Sequence, residues 1–477
     1  MQIVFDITLF LLLVHLTFRW NSVLARRATD DQDFPIMRQV LLWGLVIKLS
    51  LISIWYFAAG GHEFNMSVVD AEFYDSLGNY IGDRLRHFAW PYLMDQEKIG
   101  FAYVVGILYA IFGSYHIVVS IFNILLSVWT AMMIFEITYV ITKNNHAGLY
   151  AYIAAMFYPH FISASYLLLK DMTAAFSLVA MVWAVYCLNK IPMKILFLTF
   201  MITILAHIRM QMAIVTVVLL AIQTVLNREN IFQRINIASK FIFNLGLVII
   251  VVVAVIAFYN LEIGGQVVGE SGYTLPTVEE GGLMVQEDVR IMPQCKGSAN
   301  LFSEILARPV AYIIALAVSF IRIFFGPFFL YAAEGVNLTP YAPDEVGFRA
   351  VLESLGGLYT GLMLPFIVFG FFVFMKSNRR DVIIWGFPAL WLVLMTLSMP
   401  IIRWRLPLIA LVFVFFGMGI QFTERIKKIY PTYIIMLLFL LAFNASRLQG
   451  FVLSGGIIAA FIAVIIQVKI LRNRTSW

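Results

Sequence analysis

Apolar runs of about 17 to 25 residues recur along the whole chain, each long enough to carry a helix across roughly 30 Å of hydrocarbon. The polar stretches between them leave no room for a soluble domain of ordinary size. The pattern predicts an all-α polytopic membrane protein with about 13 transmembrane helices and interfacial helices on the outer face. The expected spans lie near residues 3–19, 38–59, 115–141, 146–166, 172–189, 192–208, 210–227, 240–259, 351–375, 381–399, 404–422, 431–446 and 451–470. The first, "IVFDITLFLLLVHLTF", has no basic residue before it and no small-residue cleavage site after it, so it is read as a retained helix.

Two apolar pieces do not fit as spans. "IGFAYVVGILYAIFG", residues 99–113, reaches only roughly 22 Å as a helix and reads as lying in the outer interface. "PVAYIIALAVSFIRIFFGPFFLYAA", residues 309–333, is long enough but carries Arg322 mid-run and breaks the alternation of sides, so it reads as interfacial or re-entrant. Orientation follows from the basic clusters: Arg26 with Arg27, Lys190 with Lys194, Arg228 with Arg234 and Lys240, Lys376 with Arg379 and Arg380, Arg425 with Lys427 and Lys428, and Lys469 with Arg472 and Arg474. The positive-inside rule places all of these in the cytoplasm. With the expected spans the alternation holds throughout, the N-terminus outside and the C-terminus cytoplasmic. Four stretches result: an extra N-terminal span and cytoplasmic loop (1–37), a transmembrane core with the outer loop 60–114 (38–259), an outer loop and interfacial helix (260–350), and C-terminal transmembrane helices (351–477).

Composition agrees. With 62% hydrophobic and 13% charged residues, the chain carries more apolar surface than a soluble core of its length could hide. The formal charge of +6 reads as a topology signal and not as a nucleic-acid footprint. The two cysteines, Cys187 and Cys295, are too few for a disulfide framework or a zinc site. Lys48 lies deep in the second span and is expected to pair with an acid such as Asp6.

In this topology the polar chemistry gathers outside, and many basic residues stand there against the bias, which points to an anion. Asp70 and Glu72 open the amphipathic stretch "DAEFYDSLGNYIGDRL", whose Phe73, Leu77 and Ile81 recur at helical spacing. Two carboxylates so placed, in an extended loop leading into a helix, suit either a divalent cation such as Mg or Mn or a catalytic base beside a helper; an isolated pair of this kind is more often simply solvated. Lys98 precedes the short interfacial helix, Arg209 stands at a tight outer turn, and Arg403 and Arg405 precede a late span. Each is either an interfacial anchor or a cation for a lipid phosphate. Asp171, beside Lys170, opens a span, where capping is its ordinary role. His160, Lys170 and Tyr74 are accessory candidates for acceptor binding.

Read in order, these motifs resemble the C-type (GT-C) glycosyltransferases, particularly the aminoarabinose transferases and protein O-mannosyltransferases (family 39-like). "VVDAEFYDSL" is similar to the family's first acidic motif, with Asp70 at the essential acid, and "EKIGFAYVVGILYAIFG" places Lys98 at its phosphate-contacting lysine. "LLLKDMTAAFSLVAMV" is similar to the family's second acidic setting at Asp171, and "RWRLP" to its late basic motif. The similarity covers roughly residues 40–225, with a weaker echo at 301–422; the chain departs from the pattern in its extra N-terminal span and in reading D-A-E.

The resemblance implies a membrane enzyme that transfers a sugar from a polyprenyl-phosphate donor to a lipid, glycan or protein acceptor at the outer face of a bacterial inner membrane. Asp70 would be the general base, with Glu72 as helper or metal co-ligand. Lys98, Arg209, Arg403 and Arg405 would hold the lipid phosphate, and Asp171 would orient the acceptor or Lys98. Apart from the resemblance, the loop 260–308, rich in glycine and acids, reads as an acceptor-binding or gating flap or else as a disordered connection. A polymerase or ligase acting on lipid diphosphate-linked oligosaccharides is the main competitor, and a lipid or glycan transporter a more distant one.

Overall fold

The structure, a computed structural model, describes residues 2–28, 33–58, 69–89, 99–226, 343–378, 380–398 and 405–434. The expected spans 240–259 and 451–470, nearly all of 431–446, the loop 260–308 and the segment 309–333 lie outside the described residues. Among the described residues all regular structure is helical. In chain order the helices are α1 (Gln2–Ala28), α2 (Asp33–Ala58), α3 (Val69–Arg86), α4 (Ile99–Phe112), α5 (His116–Thr142), α6 (Asn145–Met156), α7 (Pro159–Tyr166), α8 (Asp171–Cys187), α9 (Ile191–Ile208), α10 (Met210–Leu226), α11 (Pro343–Ser377), α12 (Val382–Ser398), α13 (Arg405–Ile420) and α14 (Thr423–Ile426).

Among the described residues, four stretches are long and apolar enough to cross a membrane: Pro35–Ile54, His116–Thr142, Ile191–Ile208 and Leu355–Ser377. Shorter apolar helices include Phe10–Leu24, Gly100–Phe112, Asp171–Cys187, Met210–Thr224 and Leu406–Ile420. Helix ends fall where local chemistry stops them. Lys143 closes α5 in the left-handed region at φ 53°, and Asn144 caps α6 by accepting from the Ala147 N–H at 3.1 Å. Pro159 and Pro192 sit in the first turns of α7 and α9, where a missing N–H costs nothing.

Two sequence expectations change. The single span at 146–166 is two helices, because the chain leaves helical geometry at Phe157–Tyr158 just before Pro159. The inner loop expected within 1–37 shrinks, since α1 runs on to Ala28 and α2 begins at Asp33.

The core is built around α5, most of whose residues are buried. The N-terminal helix α1 is part of this bundle: Trp129 Nε1 donates to Thr17 Oγ1 at 2.9 Å, and Asn21 Nδ2 donates to Tyr152 OH at 3.1 Å. Such bonds tie helices together where no water competes. The α11–α13 crossing is close-packed on glycine: a Cβ at Gly370 would collide with the Phe415 carbonyl, and one at Gly419 with that of Phe366. At one end of the bundle Gln223 joins α8, α10 and α12, donating to Tyr186 OH at 3.2 Å and accepting from the Ile383 N–H at 3.0 Å. Lys190, Lys194 and Lys376 lie at or near helix ends on this same side.

Lys48 is 1% exposed, and its Nζ donates to Ser127 Oγ of α5 at 2.7 Å. The Asp6 side chain, its expected partner, lies outside the described residues.

Candidate functional site

The opposite end of the bundle carries a closed circuit of contacts. It starts in α3, whose buried face is Ala71, Tyr74, Asp75, Gly78, Ile81 and Gly82, recurring every three or four positions. Of the regularly spaced Phe73, Leu77 and Ile81, Ile81 lies on this buried face, while Phe73 is 39% exposed. Small residues decide the matter. A Cβ at Gly78 would strike Val105 and one at Gly106 would strike Ile81, so the glycines let α3 and α4 approach closely. Tyr74 meets Phe101 edge-on at 5.0 Å, Gly78 meets Val105, and Gly82 meets Tyr109. These contacts advance together along both helices, so α3 and α4 run parallel and their first turns lie side by side.

From those first turns the circuit passes to the transmembrane helices. Lys170 Nζ lies 6.0 Å from the centre of the Tyr74 ring, at the outer limit of a cation–π contact. Beside it, Asp171 in the first turn of α8 accepts from the Arg209 guanidinium, both side chains being buried. Arg209 is the corner residue between α9 and α10, its N–H donating to the Leu205 carbonyl at 2.7 Å. One residue pair earlier, a Cβ at Gly100 of α4 would come within 2.5 Å of His207. The start of α5 completes the ring: Ser120 Oγ donates to the Tyr166 carbonyl at 2.9 Å and Asn123 Nδ2 to the Leu167 carbonyl at 3.2 Å, holding the α7–α8 connection in place.

Asp75 sits inside this ring. Its carboxylate accepts from Tyr109 OH at 2.6 Å and from Asn79 Nδ2 at 3.0 Å, and stands 3.5 Å from His116 Nε2. Burial pushes the Tyr109 phenol above its ordinary range, and the hydrogen bond to Asp75 and that carboxylate's charge add to the shift.

The structure therefore brings together Tyr74, Lys170, Asp171 and Arg209 of the sequence-predicted set. Asp70 stands in the first turn of α3, one helical turn before Tyr74, and Lys98 immediately precedes α4 in sequence. Lys98 and Arg403 lie outside the described residues, as do the side chains of Asp70 and Arg405; Arg405 opens α13. Glu72 is exposed and, two positions from Asp70 on a helix, falls on a different face. The expected shared centre for the two carboxylates required an extended backbone, and the helix begins at Val69, one residue too early for it. His160 is 2% exposed at the start of α7, with Ser163 Oγ 3.4 Å from its Nδ1 and Tyr158 alongside, within the core and outside the circuit.

Asp75, Tyr109 and His116 were not among the candidates. The signal was present in Asp75 following Tyr74 on the buried spacing, but nothing local names its partners on α4 and α5. Among the described residues no three of His, Cys, Asp and Glu come together as a metal-ligand set. Glu72 is exposed, Asp75 is held by its three neighbours and Asp171 by Arg209. No protein-family model and no curated protein matches the chain.

Proposed function

We propose that the protein is an integral-membrane glycosyltransferase that moves a sugar from a polyprenyl-phosphate donor to an acceptor hydroxyl or amine at the outer face. The observation that carries the reading is the contact circuit itself. Four positions chosen from sequence for this chemistry, Tyr74, Lys170, Asp171 and Arg209, come from distant segments and meet beside the helix that bears Asp70. The finer topology belongs to the same proposal: about 13 spans, with the circuit outside and the Gln223 end, near Lys190, Lys194 and Lys376, in the cytoplasm.

In this mechanism Asp70 removes the proton from the acceptor O–H or N–H as that atom bonds to the sugar's anomeric carbon. The bond from that carbon to the phosphate oxygen breaks, and the electron pair leaves on the polyprenyl phosphate. Lys98 and the arginines Arg209, Arg403 and Arg405 stabilise the charge gathering there. Asp171 fixes the angle of the Arg209 guanidinium, a role in place of orienting the acceptor. Glu72 has no part, because its position on α3 turns away from that of Asp70.

A polymerase or ligase handling lipid diphosphates calls for outer arginines without acids among them; the bond between Asp171 and Arg209 favours the transferase. The test is lipid mass spectrometry of membranes from cells lacking their own copy, complemented with wild type or Asp70→Asn. Accumulation of a polyprenyl-phosphate sugar in the variant alone supports the reading and identifies the donor; identical lipids with equal rescue overturn it.

A further inference from the structure

Asp75 is a buried carboxylate that the proposed chemistry does not use. It is 8% exposed, and three elements converge on it: Asn79 from its own helix, Tyr109 from α4 and His116 from α5. A carboxylate in such a place is costly unless its lone pairs are filled, and here the Tyr109 hydroxyl and the Asn79 amide donate to it while His116 Nε2 stands 3.5 Å away. The apolar and glycine contacts between α3 and α4 fix those two helices to each other, but they do not fix the pair against the bundle. His116, 3.5 Å from Asp75, is the first residue of α5, the central helix of the core, so Asp75 adds a buried polar contact to the Gly100–His207 approach and the Tyr74–Lys170 contact that also meet the bundle.

We propose that Asp75 is a positioning residue of the transfer site, seating the α3–α4 pair on α5 so that the first turn of α3, with Asp70, stands at the Lys170–Asp171–Arg209 corner. This rests on the glycosyl-transfer reading. A seat of this kind acts on the geometry of the reacting groups, so its loss lowers turnover more than donor affinity, for which Arg209, Arg403 and Arg405 off the α3–α4 pair remain.

The experiment uses the full-length protein in lipid nanodiscs, as wild type, Asp75→Ala, Asp75→Asn and His116→Phe. Amide hydrogen exchange is followed by mass spectrometry, together with steady-state transfer from the polyprenyl-phosphate sugar identified by the lipid analysis. In Asp75→Ala, exchange across 69–89 should quicken by about tenfold while that of α5, α8 and α9 stays unchanged. In the same variant kcat should fall by about tenfold or more with donor KM within about twofold of wild type. Asp75→Asn, which keeps an oxygen for the Tyr109 hydroxyl, should recover most of both. Exchange spread evenly over the bundle, or an unchanged kcat, would overturn the proposal.

Should Asp75→Ala fail to reach the membrane, His116→Phe, which removes the α5 side of the contact, carries the same comparison, and wild-type behaviour in it overturns the idea. If the wild type consumes no polyprenyl-phosphate sugar, the transferase reading falls independently. Quickened exchange confined to α3 and α4 then still identifies Asp75 as their seat, and unchanged exchange removes that role as well.

Discussion

Arg209, at the corner between α9 and α10, holds Asp171, in the first turn of α8, by a buried ion pair. Leaving either charge alone in that place is expensive. Arg209→Ala and Asp171→Ala should each destabilise the protein by about 3–5 kcal/mol, and the double variant by clearly less than their sum. Thermal unfolding in detergent across the four proteins checks this; strictly additive losses would show that the pair is not coupled.

The α11–α13 crossing has no room for a methyl group at Gly370 or Gly419, where backbone carbonyls stand in the way. Gly370→Ala should therefore cost about 1–3 kcal/mol through forced separation of the helices. A melting midpoint equal to wild type would mean that the crossing relaxes freely.

Lys48 has a hydroxyl, Ser127 Oγ, as its partner between α2 and α5. Replacing the lysine by methionine removes a group that is costly to bury, so Lys48→Met should be neutral or stabilising. Ser127→Ala leaves the lysine without that partner and should cost about 1–3 kcal/mol. Unfolding midpoints that move in the opposite order would contradict this account.

Tyr109 stays protonated in the folded protein well above its ordinary value of 10.0, because burial and Asp75 disfavour the phenolate. The unfolded chain gives up that proton first, so the unfolded state binds fewer protons on the alkaline side. Tyr109's contribution to stability is complete below that pH and is lost as the pH climbs beyond it. Tyr109→Phe should flatten the fall in unfolding midpoint between about pH 9.5 and 11; an unchanged slope would assign the alkaline loss to other groups.

If Lys98 helps to hold the leaving phosphate, Lys98→Ala should slow transfer by about tenfold to a hundredfold with an unchanged melting midpoint. Full activity in a purified assay would remove it from the phosphate cradle.

Much of the helical frame was legible. Ends of α5, α8, α9, α10, α12 and α13 fall within a few residues of the expected spans, because each apolar run is bounded by polar or basic residues or a proline. The break before Pro159 was missed because hydropathy does not change there. The face of α3 that meets α4 was not legible for a different reason: Phe73, Leu77 and Ile81 form the visible stripe, yet Gly78 and Gly82 present the surface that a partner helix can reach most closely. Asp171 and Arg209 were recognised separately, but their pairing depends on how α8 and α9 turn about their axes, which neither segment encodes alone. The same holds for Asp75, whose partners Tyr109 and His116 come from two other helices.

The parallel course of α3 and α4 also has an electrostatic consequence. Parallel helices align their macrodipoles, so both positive ends lie together, and the N-termini of α8 and α10 adjoin them through Lys170, Asp171 and Arg209. Each such end acts as about half an elementary positive charge. A field of this origin belongs to the backbone and survives the replacement of any one lysine or arginine, so an anion would still be drawn to this corner after its individual side-chain partners had been removed.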